Sequence, residues 1–197
     1  PVDVSALRRP GSEVKEALIP VPMFYFNQGL TEDLSMEAFY QLKWEKTVLD
    51  NCGTFFGSDI AAQGCDTGMA INGSDFDRNV DGTGVKGGYG YVPRLGDDDA
   101  RDGGQYGVAL HWMAESLNET EFGLYAMNYH SRTPYSNWLV GKGAFSDPVG
   151  GIIGQGGKST ARYYLTYPED IRLYGLSFAT TVGTTAVSGE ISYRPNM

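Results

Sequence analysis

Residues 34–47, "LSMEAFYQLKWEKT", alternate between two kinds of side chain. One series is wholly apolar: Leu34, Met36, Ala38, Tyr40, Leu42 and Trp44. The other series is almost wholly polar: Ser35, Glu37, Phe39, Gln41, Lys43 and Glu45. A period of two places the series on opposite faces of a β-strand. The stretch therefore predicts a strand with one face against a hydrophobic medium, which is either a protein core or a lipid bilayer.

The same alternation predicts seven strands in all. They cover residues 16–27, 34–47, 105–115, 121–131, 160–168, 171–182 and 186–194. A strand needs about 9–11 residues to cross a bilayer, whereas strands of globular proteins average about 5–6. The apolar rows also carry rings near the strand ends, among them Trp44, Trp112 and Tyr167. Tyr and Trp are enriched where a membrane meets water, so length and composition both favour the bilayer.

The connections between the predicted strands differ greatly in length. Residues 47–104 and 132–159 form two long connections, and the others have the length and composition of turns. In an up-and-down meander both long connections fall at one end, with only the short "GTT" beside them. Short turns at one end and long loops at the other are typical of outer-membrane barrels. The sequence thus predicts an all-β, antiparallel up-and-down meander, a transmembrane β-barrel segment spanning residues 1–197 with 47–104 and 132–159 as external loops.

A secreted β-sandwich that binds a ligand and has a calcium-stabilised acidic loop is the alternative, because a sandwich also alternates apolar and polar residues. The charge of the chain limits its partners in either case. The net charge of −9 argues against nucleic acid and against docking on anionic lipid. The sequence contains no apolar run of about 18 residues, so it predicts no transmembrane helix. The strands of a barrel produce no such run and are therefore still possible.

Two stretches resemble a known protein family. They are "PVDVSALRRPGSEVKEALIPVPM" and "GLTEDLSMEAFYQLKWEKTVLDNCGTFFGSD". Both are similar to a proteobacterial family of long proteins with signal peptides, described only as a domain of unknown function and regarded as porin-like. The resemblance implies an internal piece of a longer barrel in the outer membrane of a Gram-negative bacterium. It implies a role in the passage of small hydrophobic molecules, such as lipids, sterols or hydrocarbons, and it offers no catalytic residues.

Eight polar or charged residues are expected to face the lumen of such a barrel. They are Glu37, Lys43, Glu45, His111, Glu115, Arg162, Glu190 and Arg194. Both signs of charge occur, so these side chains could tune permeation or form a network that holds a filled interior together. With no nucleophile elbow and only two histidines, His111 and His130, we expect no enzymatic activity and no cofactor. Outer-membrane lipid and small hydrophobic molecules are the expected partners, and formation of a homo-oligomer is left open.

The first long connection carries an acidic motif, "DRNVDG" at residues 77–82. Asp77, Asn79 and Asp81 match the first half of a calcium loop, but Gly88 stands where a bidentate Glu is needed. Residues 47–104 hold ten Asp against four Lys or Arg. The motif therefore predicts either a loose structural calcium site or an acidic loop in contact with water.

The only two cysteines lie in the same connection. A disulfide between Cys52 and Cys65 is the favoured interpretation, and two free thiols are the alternative. Closing a loop of this size stabilises a fold by roughly 3 kcal/mol. A disulfide would also indicate an oxidising compartment.

Overall fold

The computed structural model describes residues 1–58, 60–62, 68–70, 91–139 and 162–196. A four-residue helix, α1 (Val14–Ala17), and two 3₁₀ turns at Ala6–Arg8 and Glu115–Leu117 are its helical elements in these ranges. The strands of the described ranges are β1 (Met23–Gly29), β2 (Leu34–Gln41), β3 (Gly68–Ala70), β4 (Tyr91–Pro93), β5 (Gln105–Ala114), β6 (Thr120–Tyr129), β7 (Tyr135–Leu139), β8 (Arg162–Thr166), β9 (Ile171–Val182) and β10 (Thr185–Tyr193). All named strand pairs are antiparallel, which confirms the predicted all-β, antiparallel class.

The chain folds into two compact units. The sheet unit comprises Pro20–Glu45, Ala100–Ser131 and Pro168–Met197. The connection unit comprises Pro1–Ile19, Lys46–Asp99 and Arg132–Tyr167. Most residues of the two connections predicted to be external loops therefore belong, together with residues 1–19, to a compact unit that has strands of its own.

The sheet unit is one six-stranded meander. Its strand order is β1-β2-β5-β6-β9-β10, so each strand lies beside the next one of the sheet along the chain. The register aligns Leu34 with Trp112, Trp112 with Phe122, and Phe122 with Phe178. Among the described strands β1 and β10 each have one neighbour, so the sheet is open at both edges.

The connections of this sheet are asymmetric. Residues 30–33, 115–119 and 183–184 join β1 to β2, β5 to β6 and β9 to β10 at one end. Residues 42–104 and 130–170 are the connections at the opposite end. The predicted place of "GTT" beside the long connections is wrong, because the meander has six strands and not the predicted seven.

The extra strand is the one predicted at residues 160–168. A strand does form there, β8, but it pairs with β7 in a two-stranded sheet of the connection unit. Its apolar row, Tyr163, Leu165 and Tyr167, is at most 5% exposed. These side chains lie in a protein core, so the predicted position of Tyr167 at a membrane surface is wrong.

The second predicted strand ends earlier than its alternation does. β2 stops at Gln41, whose side-chain amide donates to the Lys43 carbonyl oxygen. Trp44 lies beyond the strand and is 6% exposed, with its indole N–H donating to the Ser131 carbonyl oxygen at 3.1 Å. A buried, hydrogen-bonded ring of this kind belongs to the protein interior, so its predicted place at a membrane surface is also wrong.

The first predicted strand begins later than residue 16. α1 and the prolines Pro20 and Pro22 precede it, and β1 starts at Met23. The Pro22 carbonyl accepts the Leu42 N–H at 2.9 Å, which joins this segment to the residue after β2. Proline has no N–H for a strand ladder, which explains the late start.

The connection unit has a small core of its own. Val92 and Tyr163 are fully buried, with Ile60 packed against them. The Trp138 ring stacks on Tyr163 with the ring centroids 5.4 Å apart. The segment after β4 follows β8, because the N–H groups of Leu95 and Asp98 donate to the Tyr163 and Leu165 carbonyl oxygens. This core holds together residues that are far apart in the sequence.

Candidate functional site

One face of the six-stranded sheet is mostly apolar, and we call it the apolar face. Its polar members include Gln28, Thr120, Asn128, Arg172 and Thr180. The register places on it Phe24, Phe26, Met36, Tyr40, Tyr106, Val108, Leu110, Trp112, Phe122, Leu124, Tyr174, Leu176, Phe178, Val187, Ile191 and Tyr193. Large side chains on it are well exposed, with Leu124 at 53%, Leu176 at 46% and Ile191 at 69%. An exposed apolar surface of this extent marks an interaction site rather than an ordinary protein surface.

The apolar face is ordered along the strands. Toward the long connections, Phe24, Tyr40 and Tyr106 lie side by side in the register. Toward the short turns, Trp112 stacks on Phe122, with the ring centroids 5.7 Å apart. Tyr106 and Trp112 are six residues apart on β5, which corresponds to about 20 Å at the usual strand rise.

Between these aromatic rows lies an aliphatic level. It consists of Met36, Leu110, Leu124, Leu176 and Ile191, aligned across five strands. Aromatic rows on either side of an aliphatic band are the outward pattern of membrane barrels, whose band is about 25 Å tall.

The opposite face of the sheet, which we call the polar face, carries many small or polar side chains. It includes Tyr25, Asn27, Ser35, Glu37, Phe39, Gln105, Gly107, Ala109, His111, Met113, Glu121, Gly123, Tyr125, Met127, Leu173, Gly175, Ser177, Ser188, Glu190 and Ser192. On the inner strands this face is the better covered one. In β9, for example, Leu173, Gly175 and Ser177 are half-buried, whereas Tyr174 and Leu176 are exposed. On its inner strands, the sheet therefore exposes its apolar side chains more than its polar ones.

Hydrogen bonds join the polar side chains of this face across strands. The Asn27 amide donates to a Glu37 carboxylate oxygen at 2.9 Å. The phenol of Tyr125 lies 3.2 Å from the Ser177 hydroxyl. These pairs satisfy much of the hydrogen-bonding capacity of a partly covered surface.

A third cross-strand pair lies on the same face. His111 Nδ1 and a Glu121 carboxylate oxygen are 3.1 Å apart, and the His111 ring meets the Tyr125 ring edge to face. The imidazole, the phenol and the carboxylate thus form one contiguous polar cluster on β5 and β6.

Two glycines let aromatic rings lie on the polar face. A Cβ at Gly123 would stand 2.3 Å from the Tyr125 phenol oxygen, and one at Gly107 would stand 2.5 Å from Phe39 Cε1. The Phe39 ring therefore lies over the neighbouring strand β5, and the Tyr125 ring lies along its own strand β6, each at a position where a side chain is absent. This use of glycine leaves the aromatic surface flat against the sheet.

A second polar cluster lies where β5, β6 and β9 meet the long connections. His130 is fully buried; its Nε2 lies 2.8 Å from the Gly103 carbonyl oxygen, and its Nδ1 accepts the Asp170 backbone N–H at 3.0 Å. These two partners require a neutral ring with the proton on Nε2. His130 therefore fixes two chain segments that enter the sheet.

The Asp170 carboxylate extends this cluster toward the surface. Arg101 donates to both of its oxygens, at 2.6 and 2.7 Å, and the Asn128 amide donates to one at 2.8 Å. The Arg101 hydrogen bonds, followed by that from Asn128, hold the pKa of Asp170 below its ordinary value. The carboxylate therefore stays charged in mildly acidic solution.

The connection unit contains a cavity of about 390 Å³. Lys46, Arg94, Asp97 and Tyr167 are among its lining residues. Arg94 donates to both Asp97 carboxylate oxygens, at 3.0 and 2.6 Å. Burial, with the nearby Asp97, raises the pKa of Tyr167 to about 12. The cations of the cavity thus already have carboxylate partners, which makes it a poor anion site.

The residues predicted to face a lumen fall into several places. Glu37, His111 and Glu190 share the polar face. Glu115 lies in the 3₁₀ turn after β5, and Arg194 follows the last residue of β10. The structure therefore brings three of the eight together on one surface.

The other three predicted residues lie outside the sheet. Lys43 and Glu45 come after the end of β2 and form an ion pair with each other. Arg162 lies in β8, which is part of the connection unit. Arg162 was predicted to face the lumen because β8 was counted as a strand of the meander. This prediction is wrong, because β8 pairs with β7 in the connection unit.

Sequence reasoning missed Glu121. The facing of the strand at 121–131 was ambiguous, because both of its rows contain apolar residues. The signal was present in Glu121, Gly123 and Tyr125, a series of polar, small and amphipathic residues that the register places beside His111.

The metal and disulfide predictions cannot be placed. Asp77, Asn79, Asp81 and Cys65 lie outside the described residues. Within the described ranges, no group of three or more His, Cys, Asp or Glu side chains is arranged to hold a metal ion. In the same ranges, no helix has the length and hydrophobicity needed to span a membrane.

Residues 1–197 match a family described as "Protein of unknown function (DUF1302)". The chain belongs to this family. The match confirms the resemblance to a family described only as a domain of unknown function. No curated protein and no solved structure matches the chain.

Proposed function

We propose that the six-stranded sheet is part of an outer-membrane β-barrel that contributes to the passage of small hydrophobic molecules. The observation that carries this proposal is the inverted exposure of the sheet, with large apolar side chains more exposed than polar ones. Lipid is the medium that stabilises such a face, because burying a large apolar side chain contributes about 1.5–3 kcal/mol. In water the same residues would favour aggregation.

The pattern of side chains along the strands also supports a membrane barrel. An aliphatic band between aromatic rows matches the outer surface of a membrane barrel in both order and approximate height. Short turns at one end and long connections at the other match the periplasmic and external ends. The polar face would then line the interior, where water and a solute meet Glu37, His111 and Glu190.

A barrel also requires a partner strand at each open edge. An unpaired strand edge in a membrane leaves backbone N–H and C=O groups without hydrogen bonds, at several kcal/mol each. β1 and β10 would therefore pair with further strands, from the same polypeptide or from other copies. The alternative, a secreted sandwich, would need a second sheet over the apolar face, and the exposure of Leu124 and Ile191 favours the membrane.

Spin labels on neighbouring residues test the membrane arrangement. Val108→Cys and Ala109→Cys, or Leu176→Cys and Ser177→Cys, place a nitroxide on opposite faces at nearly the same depth. In lipid vesicles, labels at 108 and 176 should collide with dissolved oxygen, and labels at 109 and 177 with a water-soluble nickel chelate. The unsubstituted chain measures labelling of the native cysteines. Equal access of the nickel chelate to both faces would exclude the lipid-facing surface.

Uptake of N-phenylnaphthylamine by intact Gram-negative cells tests passage. Cells that express the protein should take up this hydrophobic dye faster than cells without it. Ala109→Trp adds bulk to the polar face and should slow uptake, whereas Ala126→Trp adds the same bulk to the apolar face and should not. If neither variant changes uptake, or both do equally, the polar face does not line the path.

A further inference from the structure

The polar face changes character along its length. Tyr25, Phe39, Gly107, Met127 and Leu173 form one row across five strands, and we call it the interior apolar row. The row lies toward the long connections. Gly107 is buried, while Phe39, Met127 and Leu173 are half-buried. The Phe39 ring lies over Gly107, so the row offers a continuous apolar surface.

The next levels toward the short turns are polar. One level contains Asn27, Glu37, Tyr125 and Ser192. The following level contains Ser35, His111, Ser177 and Glu190. Because the usual strand rise is about 3.3 Å per residue, the second level lies about 13 Å from the interior apolar row. An apolar surface and a polar surface thus adjoin within the length of one small molecule.

The charge on this face has one sign. Its carboxylates are Glu37, Glu121 and Glu190, and the described strands place no Lys or Arg on it. His111 is the one basic side chain in this set, and it already contacts Glu121. Carboxylates accept hydrogen bonds and attract cations, whereas they repel a second carboxylate.

We propose that the polar face binds an elongated amphiphile whose head is a neutral hydrogen-bond donor or a cation. The proposal rests on the proposed function, since it takes this face as the wall of the path. The apolar part of the amphiphile lies on the interior apolar row. Its hydroxyl or ammonium head donates to Glu37 or Glu190 on the polar levels. An anionic amphiphile of the same length is excluded by the carboxylates.

Three radiolabelled probes of equal chain length test the proposal: dodecanol, dodecylammonium and dodecanoate. Binding is measured on the full chain in uncharged lipid vesicles, with protein-free vesicles giving the lipid background. We expect dodecanol and dodecylammonium to bind at least about ten-fold more tightly than dodecanoate, a difference of about 1.4 kcal/mol. Glu37→Gln with Glu190→Gln should increase dodecanoate binding several-fold.

Variants of the interior apolar row separate this site from general partitioning into lipid. Met127→Ala and the milder Phe39→Leu should weaken dodecanol binding several-fold. Leu124→Ala, on the apolar face of the same strand as Met127, is the matched control and should leave binding unchanged.

Equal affinity for all three probes would overturn the proposal. So would a Met127→Ala variant that binds dodecanol like Leu124→Ala. If either result occurs while the spin labels at 108 and 109 retain opposite accessibilities, the ligand class is wrong and the membrane barrel stands. If the nickel chelate reaches the spin labels on both faces equally, the proposed function itself is wrong.

Discussion

His130 is a buried side chain held at both of its ring nitrogens. It is fully buried and holds the Gly103 carbonyl and the Asp170 N–H through its two ring nitrogens. A buried polar group that loses its partner costs about 1–3 kcal/mol. The ring therefore acts as a structural connector between two segments, a role that neither its residue type nor its position in the sequence indicates.

His130→Phe should lower the free energy of unfolding by about 2–4 kcal/mol, because it leaves both backbone groups without a partner. His111→Phe is the control, since His111 is half-buried, its ring is hydrogen-bonded to Glu121, and a phenyl ring keeps the edge contact with Tyr125. We expect it to change stability by less than about 1 kcal/mol. Chemical unfolding in detergent measures both. Equal losses for the two variants would show that the contacts of His130 do not matter to stability.

Asp170 gives the same region a pH dependence. Its pKa is lower in the folded protein than in the unfolded chain, chiefly because of Arg101. The stabilisation is therefore complete above the unfolded pKa of about 3.9 and is lost as the pH falls through the folded pKa. Asp170→Asn removes the titrating group and suits the backbone, because Asn tolerates the positive φ of 55° found here.

Unfolding curves at about pH 7, 5, 4 and 3 test whether stability falls with pH in this direction. The wild-type protein should lose more stability between pH 5 and pH 3 than Asp170→Asn does. Asp33→Asn, in the short turn between β1 and β2, serves as a charge-matched control. If the two variants have the same acid profile, Asp170 does not contribute to the acid response.

Among the elements, β5 has two faces that are covered differently in its first half. Trp112 and Val108 are exposed on one face, whereas Gly107 is buried on the other beneath Phe39. Gly107→Ala should destabilise the protein by about 1–3 kcal/mol, because the new Cβ overlaps the ring. Gly29→Ala, at the end of β1 with open space around it, should be close to neutral.

A second substitution tests the cause of that loss. Phe39→Leu removes the ring edge that the new Cβ would meet, so the double variant should recover part of the stability lost by Gly107→Ala. Additive losses in the two single variants and the double variant would show that the clash is not with Phe39.

The alternation of residues predicted strands well and predicted their surroundings poorly. Leu34 to Tyr40 alternate and form β2, but Leu42 and Trp44 continue the pattern after the strand has ended. Period is a local property, and it contains no information that the Trp44 backbone N–H donates to an Asp102 carboxylate oxygen at 2.9 Å. Likewise Tyr163 and Leu165 alternate like a barrel strand, yet their partner strand, β7, places them in a core.

The candidate site was predicted only where facing was clear. Glu37, His111 and Glu190 lie on regular alternating strands, and the register unites them. Glu121 was missed because Phe122, Leu124 and Ala126 alternate with residues that are partly apolar too. The interior apolar row could not be predicted at all, since it consists of one residue from each of five strands.

At the scale of the whole molecule, the asymmetry of the connections predicts an orientation. If the long connections are external, a residue of β7 lies outside the cell and the turn 183–184 lies in the periplasm. Ser136 and Thr184 are both exposed, and both tolerate a small polar substitute. They therefore form a matched pair for Ser136→Cys and Thr184→Cys.

A membrane-impermeant maleimide on intact cells should label Ser136→Cys and not Thr184→Cys. After the outer membrane is permeabilised, both variants should react, because both side chains are exposed in the fold. The unsubstituted protein reports any reaction at Cys52 or Cys65. The reverse pattern would place the short turns outside the cell and invert the proposed orientation. Labelling of both positions on intact cells would be incompatible with a sheet that crosses the membrane between them.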